Sequence, residues 1–182
     1  MEFKQIKKYT QNLKVLFIED NIDFMKETME ILNIFFDDVD IALDGEGGLD
    51  MYKQRYYQDG SYYDLIITDI NMPNMSGDEL IKEMKKLNQN QSIIVLSAHS
   101  EEDKLISFIK NGVKDFIKKP IVTIELQDIL YRVCKDIVIQ KDEKQEIAEI
   151  KKENKETTKL LLGEKANLLD NKLEFDINDL LY

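Results

Sequence analysis

Polar side chains follow four short apolar stretches of this chain, at the point where each stretch ends. They are Glu19 and Asp20 after KVLFI, Asp69 after LIIT, Ser97 after IIVL, and Lys119 in FIKKP. Carboxylate oxygens without histidine or cysteine suit a hard cation, Mg²⁺ above all. A carboxylate can also act as a covalent nucleophile. These residue types therefore predict metal-assisted transfer of a phosphoryl group to an aspartate.

The chemistry of these side chains also predicts their roles. Three neighbouring carboxylates repel one another and raise one another's pKa unless a cation lies between them. Asp69 is the candidate nucleophile, because a loop containing proline and glycine follows it and leaves its face open. Lys119 supplies a cation for the phosphoryl group, and the Ser97 hydroxyl can reach a phosphoryl oxygen. Glu19 and Asp20 complete the set as metal ligands.

The elements that must position these residues are short strands alternating with helices. The predicted strands are rich in valine and isoleucine, and they cover residues 14–18, 39–42, 65–68, 93–96 and 115–117. Helical periodicity predicts helices over 22–35, 46–57, 77–87 and 101–110, with a loop at 58–63. This alternation predicts an α/β fold, a doubly wound five-stranded parallel sheet. Ligands of such sheets bind beyond the carboxyl ends of the strands, where all the candidate residues lie.

Helix boundaries are predicted from capping residues. Asp20 or Asn21 precedes the first of these helices, Ser76 precedes the third, and Ser100 precedes the fourth. The pair Asn111-Gly112 predicts the end of the fourth helix, because glycine readily adopts the left-handed backbone of a helix terminus.

The C-terminal third has a different character, with no glycine or proline from residue 123 to residue 162 and a high density of charge. One seven-residue register contains Leu126, Val133, Ile147 and Leu161, with Gln140 and Asn154 at its remaining positions. A second seam contains Ile129 and Ile150 but is interrupted by Asp136 and Glu143. Two interpretations fit: a coiled coil between two chains, and a single charged helix that continues the last domain helix.

Over about residues 13–130 the sequence resembles the receiver domain of two-component response regulators, the CheY-like superfamily. The resemblance rests on the acidic pair, the aspartate in ITDINMP, the serine in IIVLSAHS and the lysine in FIKKP. It implies the strand order 2-1-3-4-5 and a cis peptide bond before Pro120. It assigns phosphorylation to Asp69, metal binding to Glu19, Asp20, Asp69 and the backbone carbonyl of Asn71, and phosphoryl binding or switching to Ser97, Lys119 and Phe116.

The sequence patterns and the resemblance together predict an organisation and a function. Residues 1–12 form an N-terminal lead, 13–122 the receiver core, 123–162 the last receiver helix extended into a candidate coiled coil, and 163–182 an acidic segment that docks or is disordered. The phosphodonor is a sensor histidine kinase or a phosphotransfer protein. Phosphorylation shifts a surface near the last strand, and its apolar candidates for a partner or dimer face are Leu105, Phe108, Ile109 and Leu126.

Composition narrows the class of protein. A formal net charge of -11 argues against nucleic-acid binding. Cys134 is the only cysteine, so no internal disulfide is expected, and no apolar run is long enough for a membrane span. Together with the resemblance, these features predict a cytoplasmic signalling module that is not an enzyme. Two alternatives are a fragment of a longer regulator lacking its effector domain, and an aspartyl-nucleophile phosphatase, whose general acid would stand where this chain has Asn71.

Overall fold

The structure is a computed structural model that describes residues 3–98 and 108–179, without the side chains of 163–164 and 166–179. The chain divides into two compact units, residues 1–138 and 139–182.

The first unit contains a sheet of five parallel strands. These are β1 (Lys14–Ile18), β2 (Asp38–Ala42), β3 (Leu65–Asp69), β4 (Ser92–Ser97) and β5 (Asp115–Lys118). The strand order is β2-β1-β3-β4-β5, and every neighbouring pair is parallel. Both the predicted fold class and the predicted strand order are confirmed, with β2, β3, β4 and β5 one or two residues longer than predicted.

Five helices of the described residues accompany these strands. They are α1 (Phe3–Thr10), α2 (Ile22–Phe35), α3 (Gly45–Asp59), α4 (Gly77–Leu87) and α5 (Thr123–Asp179). The predicted bounds of α2 and α4 are confirmed. Helix α3 continues through residues 58 and 59, so the loop predicted from residue 58 begins only at Gly60, which ends the helix with a φ of 70°.

Capping side chains explain where the helices begin. The Asn21 carboxamide accepts hydrogen bonds from the backbone N–H groups of Asp23 and Phe24, so Asn21 rather than Asp20 caps α2. At the start of α4, Ser76 and Glu79 form a reciprocal capping box.

Of the helix predicted over 101–110, the structure describes residues 108–110, which are helical, whereas its predicted cap Ser100 lies outside the described residues. The predicted stop is confirmed. Gly112 has a φ of 76°, and the N–H of the next residue, Val113, donates to the carbonyl of Phe108.

The sheet has a core on each face. On one face, α1, α2 and the first part of α5 pack through residues such as Ile6, Leu32 and Leu130. On the other face, α3 and α4 pack through residues such as Tyr52 and Leu80. All residues of β3 and β4 are buried, as expected for parallel strands that are covered on both sides.

Helix α1 is an element that the sequence patterns did not predict, since residues 1–12 were expected only as a lead. Ile6 is fully buried in the core, and the Thr10 hydroxyl donates to the carbonyl of Phe35 at 2.7 Å. That carbonyl lies in the last turn of α2, where intrahelical donors are lacking. Thr10 therefore supplies a missing hydrogen bond, and α1 is part of the folded unit.

Two residues predicted for a partner surface are instead core residues. Phe108 and Leu126 are each 1% exposed, because their side chains fill the two cores of the sheet. Ile109 is 61% exposed and remains available as a surface residue. The fourth candidate, Leu105, lies outside the described residues. Cys134 is fully buried, and burial raises the pKa of its thiol.

The second unit consists of the rest of α5, from residue 139 to residue 179. Its exposed large apolar side chains are Ile139, Ile147, Ile150, Leu160, Leu161 and Leu162. Among the helices that the structure describes, none combines the length and the apolar character required to cross a bilayer.

Candidate functional site

The candidate residues lie at the carboxyl ends of β1, β3, β4 and β5. Ile18 at the end of β1 pairs with Thr68 of β3, so the next residues along, Glu19 and Asp69, are brought side by side. The strand order reverses between these two strands. That is the place where parallel α/β sheets bind ligands.

Three carboxylates converge at this point, as the sequence predicted. Glu19, Asp20 and Asp69 each offer an oxygen atom within 4.8 Å of the others. Glu19 is fully buried, Asp69 is 7% exposed, and Asp20 is open to solvent. Burial raises the pKa of the Glu19 carboxyl, although the hydrogen bond from Lys119 opposes this. The carboxylate cluster is therefore shielded from solvent at Glu19 and accessible to solvent at Asp20.

Lys119 joins two of these carboxylates. Its Nζ lies 2.7 Å from Glu19 Oε2 and 2.8 Å from Asp69 Oδ1. Burial alone would lower the pKa of Lys119, but its hydrogen bonds to Asp69 and Glu19 outweigh burial and raise the pKa. The ammonium is thus held in its charged form. It reaches the site because its backbone N–H donates to the carbonyl of Ser97 at 2.9 Å, directly after β5.

The loop after β3 shapes the surroundings of Asp69. The backbone N–H of Asn71 donates to Asp69 Oδ2 at 3.2 Å, which orients the carboxylate. Further along, the first residue of α4 passes very close to the strand end. A Cβ on Gly77 would lie 2.3 Å from the carbonyl oxygen of Asp69, so only glycine fits there without a shift.

Ser97 and Phe116 occupy the two strands on the far side of Asp69. Ser97 ends β4 and is 3% exposed, one residue after the position that pairs with Asp69. Phe116 lies in β5 and is half-buried, and its ring centroid is 6.3 Å from that of Phe108. The peptide bond between Lys119 and Pro120 is cis, which confirms the prediction.

One side chain at the site was not predicted from the sequence. The Nζ atom of Lys119 lies over the ring of Phe24, 4.3 Å from its centroid, which is a favourable cation–π distance. Phe24 lies in the first turn of α2, directly after the acidic pair. The sequence shows an aromatic residue four positions after Asp20, which could have indicated a contact with the site. The helical periodicity indicated only a core position for Phe24.

These contacts define what the site can do chemically. Oxygen ligands alone, with three carboxylates against one ammonium and hence a formal charge of −2, suit a hard divalent cation. Asp69 is buried enough to be held in one orientation, and the Lys119 ammonium contacts one of its carboxylate oxygens. The arrangement fits phosphoryl transfer better than hydrolysis by histidine or cysteine, neither of which occurs in this group of residues.

Known proteins resemble this chain in sequence and in fold. A model of the response regulator receiver domain matches residues 15–131. The chemotaxis protein CheY of Thermotoga maritima is 32% identical over 124 residues, which cover 67% of this chain and 98% of that protein. Several other curated relatives are far longer. The chain spans 7% of the hybrid signal transduction histidine kinase D of Dictyostelium discoideum, 46% of a response regulator receiver protein of Anaeromyxobacter and 19% of the Arabidopsis two-component response regulator ARR18.

Solved structures agree with this. The N-terminal domain of an uncharacterized protein from Wolinella succinogenes is 33% identical, with a TM-score of 0.60 over 71% of this chain and 98% of that chain. The Borrelia burgdorferi CheX-CheY complex, described as holding BeF3 and Mg²⁺, is 27% identical, with a TM-score of 0.61 over 68% of this chain and 90% of that chain. By the match over residues 15–131 and by its fold, the chain belongs to the family of response regulator receiver domains.

Proposed function

We propose that this chain is a response regulator in which Asp69 accepts a phosphoryl group from a histidine kinase or phosphotransfer protein, in a Mg²⁺-dependent reaction. The single observation that supports this most directly is the convergence of three carboxylates within 4.8 Å, with the Lys119 ammonium on Asp69. Receiver domains work with such kinases as a family, and three of the relatives are themselves histidine kinases.

The metal site of this proposal consists of the carboxylates of Glu19, Asp20 and Asp69 and the backbone carbonyl of Asn71. The donor set fits, because it is made of oxygen atoms only and retains net negative charge beside Lys119. When bound, Mg²⁺ would neutralise the charge that develops on the transferring phosphoryl group. Asp20, the exposed member, leaves room for the water molecules that this ion normally keeps.

The chain's own residues carry the transfer. A carboxylate oxygen of Asp69 forms a bond to phosphorus while the bond from phosphorus to the donor imidazole nitrogen breaks, and the electron pair of that bond returns to the nitrogen. The N–H of Asn71 holds the carboxylate in position. Lys119 leaves its contact with Asp69 Oδ1 and pairs with a phosphoryl oxygen, and the Ser97 hydroxyl donates to another.

Movement of Ser97 and Lys119 is the proposed start of the switch. Their backbones are linked by a hydrogen bond at 2.9 Å, so the ends of β4 and β5 move together. Phe116, half-buried three residues before Lys119, turns inward as Ser97 shifts. The output is a protein partner or a homodimer through the C-terminal helix. Nucleic acid is not proposed as a partner, because the net charge is -11.

Binding of beryllofluoride, a mimic of the phosphoryl group, tests the assignment of Asp69. With MgCl₂ present, we expect stoichiometric binding to the wild type and none to Asp69→Asn, measured by fluorine NMR and calorimetry. The matched control is Asp50→Asn, an exposed aspartate on α3, which should bind like the wild type. Equal binding by the wild type and Asp69→Asn would refute the assignment.

A second experiment separates phosphorylation from the switch. Phe116→Ala removes the ring but none of the groups that contact Asp69, so autophosphorylation with acetyl phosphate should proceed at nearly the wild-type rate. The change in hydrogen exchange of β5 on beryllofluoride binding should be reduced in the same variant. A loss of aspartyl-phosphate formation parallel to the loss of the conformational response would contradict these separate roles.

A phosphatase with an aspartyl nucleophile is the less favoured candidate, because Asn71 stands where that class requires a carboxylic acid. We propose a signalling module that is not an enzyme acting on a separate substrate. We also propose that it works in the reducing cytoplasm, which agrees with its one free, buried thiol at Cys134.

A further inference from the structure

We propose that residues 144–161 of α5 pair with the same segment of a second copy as a short parallel coiled coil, whose orientation is set by acidic residues on one flank and lysines on the other. This inference rests on the homodimer of the proposed function and deepens it. It assigns the register, the direction and the residues of the contact.

The pairing segment begins after the receiver unit, although the heptad pattern begins earlier. Leu126, Ile129 and Val133 lie in the register read from the sequence, but they are 1%, 9% and 4% exposed. Their side chains belong to the core on one face of the sheet. Because a side chain buried within its own domain cannot also pack across a dimer, the seam that remains for a second copy starts beyond residue 138.

Within the second unit, the remaining heptad positions face solvent. Assigning position a to Ile147 places Ile150 at d, Asn154 at the next a, Thr157 at the next d and Leu161 at the following a. The side chains of Ile147, Ile150 and Leu161 are 52%, 49% and 60% exposed. A single asparagine at a, as at Asn154, fixes the register and the oligomeric state of a parallel coiled coil.

The charges beside this seam determine the direction of pairing. Positions g, which flank the seam on one side, include Glu146 and Glu153, whereas positions e on the other side include Lys144 and Lys151. All four residues are exposed. In a parallel pair, each g residue faces the e residue five positions later in the partner, so Glu146 meets Lys151 twice. An antiparallel pair sets g against g and e against e, which brings like charges together.

This charge pattern indicates that the exposed seam of α5 pairs with a second copy of the chain. The acidic flank of one helix complements the lysine flank of an identical helix, and no other partner is needed to satisfy both. The apolar part of the seam is short, since Ile147 and Leu161 are 14 positions apart and therefore lie about 21 Å apart along a helix. The dimer should therefore be weak and dependent on protein concentration.

Disulfide cross-linking of the full-length chain tests both the contact and its direction. Ile147→Cys and Leu161→Cys are separate variants, each with a thiol at one a position. Each variant should form disulfide-linked dimers under mild oxidation. Lys152→Cys is the matched control, because position f points away from the seam. The wild type provides the background, since its only cysteine, Cys134, is buried. Oligomeric state is measured in parallel by sedimentation of the unmodified chain.

The possible results distinguish the formation of a dimer from the direction and register of its pairing. A dimer in which both a-position variants cross-link supports the parallel pairing, because an antiparallel pair brings only one of two distant positions against itself. If the chain is a dimer but neither variant cross-links, or only one does, the proposed direction and register are wrong, whereas the dimer itself stands. A monomer at all concentrations overturns the dimer of the proposed function too, whereas beryllofluoride binding at Asp69 would be unaffected.

Charge reversal provides a second measurement that does not depend on oxidation. Glu146→Lys places like charges across both sides of the dimer and should raise its dissociation constant about fivefold. Adding Lys151→Glu restores opposite charges and should return the constant to near the wild-type value. If the double variant dimerises no better than Glu146→Lys alone, these two positions do not face each other.

Discussion

Replacing Lys119 with methionine tests the electrostatic design of the site most directly. The substitution keeps an unbranched side chain of similar length and removes the ammonium, which lies 2.7 Å from Glu19 Oε2 and 2.8 Å from Asp69 Oδ1. Without it, no ammonium of the described residues 3–98 and 108–162 contacts the three carboxylates. We expect Lys119→Met to be less stable than the wild type when Mg²⁺ is chelated, and to bind Mg²⁺ more tightly.

The size of the effect follows from burial. The side chain of Glu19 is 1% exposed and that of Asp69 is 10% exposed, so both carboxylates are poorly solvated. Removing one partner of a buried ion pair costs roughly 3–5 kcal/mol of unfolding free energy. We expect the lower end, about 3 kcal/mol, because the side chain of Lys119 is 21% exposed and water can partly replace the ammonium.

The gain in metal affinity has the same origin. In the wild type, the ammonium repels a divalent cation that binds the same two carboxylates. Two unit charges about 4 Å apart interact with about 4 kcal/mol at an effective dielectric constant of 20. Even if water screens most of that energy, the Mg²⁺ dissociation constant of Lys119→Met should fall at least about tenfold, which corresponds to about 1.4 kcal/mol.

Urea unfolding in chelator and in saturating MgCl₂ measures the stability, and calorimetric titration measures the affinity. The control is Lys26→Met, which alters an exposed lysine of α2 and should change the unfolding free energy by less than about 0.5 kcal/mol. The reasoning is refuted if Lys119→Met is as stable as the wild type in chelator, or if its Mg²⁺ affinity is unchanged or weaker.

Three further predictions concern packing, hydrogen bonding and pH. Gly77→Ala should lower the unfolding free energy by about 1–3 kcal/mol and weaken beryllofluoride binding, because its Cβ would displace the carbonyl of Asp69; retention of both properties would contradict this. Thr10→Val should cost about 1–2 kcal/mol in urea unfolding, since the carbonyl of Phe35 loses its donor. Burial and a neighbouring carboxylate raise the pKa of Tyr63 from 10.0 to about 12, so the folded state retains the phenolic proton there. Stability should fall as the pH rises through that interval, by up to roughly 3 kcal/mol. A comparison with Tyr63→Phe measures this contribution.

The sequence by itself determined the order of strands and helices and most of the candidate site. Valine and isoleucine runs of strand length can be read locally, and caps such as Ser76 act within one turn of the chain. The position of Asp69 directly after a buried strand predicted its place at the ligand-binding edge, because parallel strands align their carboxyl ends.

The tertiary structure decided which periodic apolar residues face solvent. Leu126 and Ile147 occupy the same heptad position, yet the first is 1% exposed and the second is 52% exposed. Periodicity shows that a helix face is apolar but not what covers it, and the first part of α5 packs in the core on one face of the sheet. For the same reason α1 was not predicted. Its burial depends on Ile6 and Thr10 meeting residues distant in the sequence.

The contacts of Lys119 were also decided only by the fold. Its role as the cation of the site was predicted, but its contact with Glu19 spans 100 positions of the chain, and its approach to the Phe24 ring brings a side chain of α2 into the site. Such contacts depend on how separate strand ends and helix starts are placed in space. The sequence therefore determined the chemical groups of the site, whereas the packed sheet determined which of them touch.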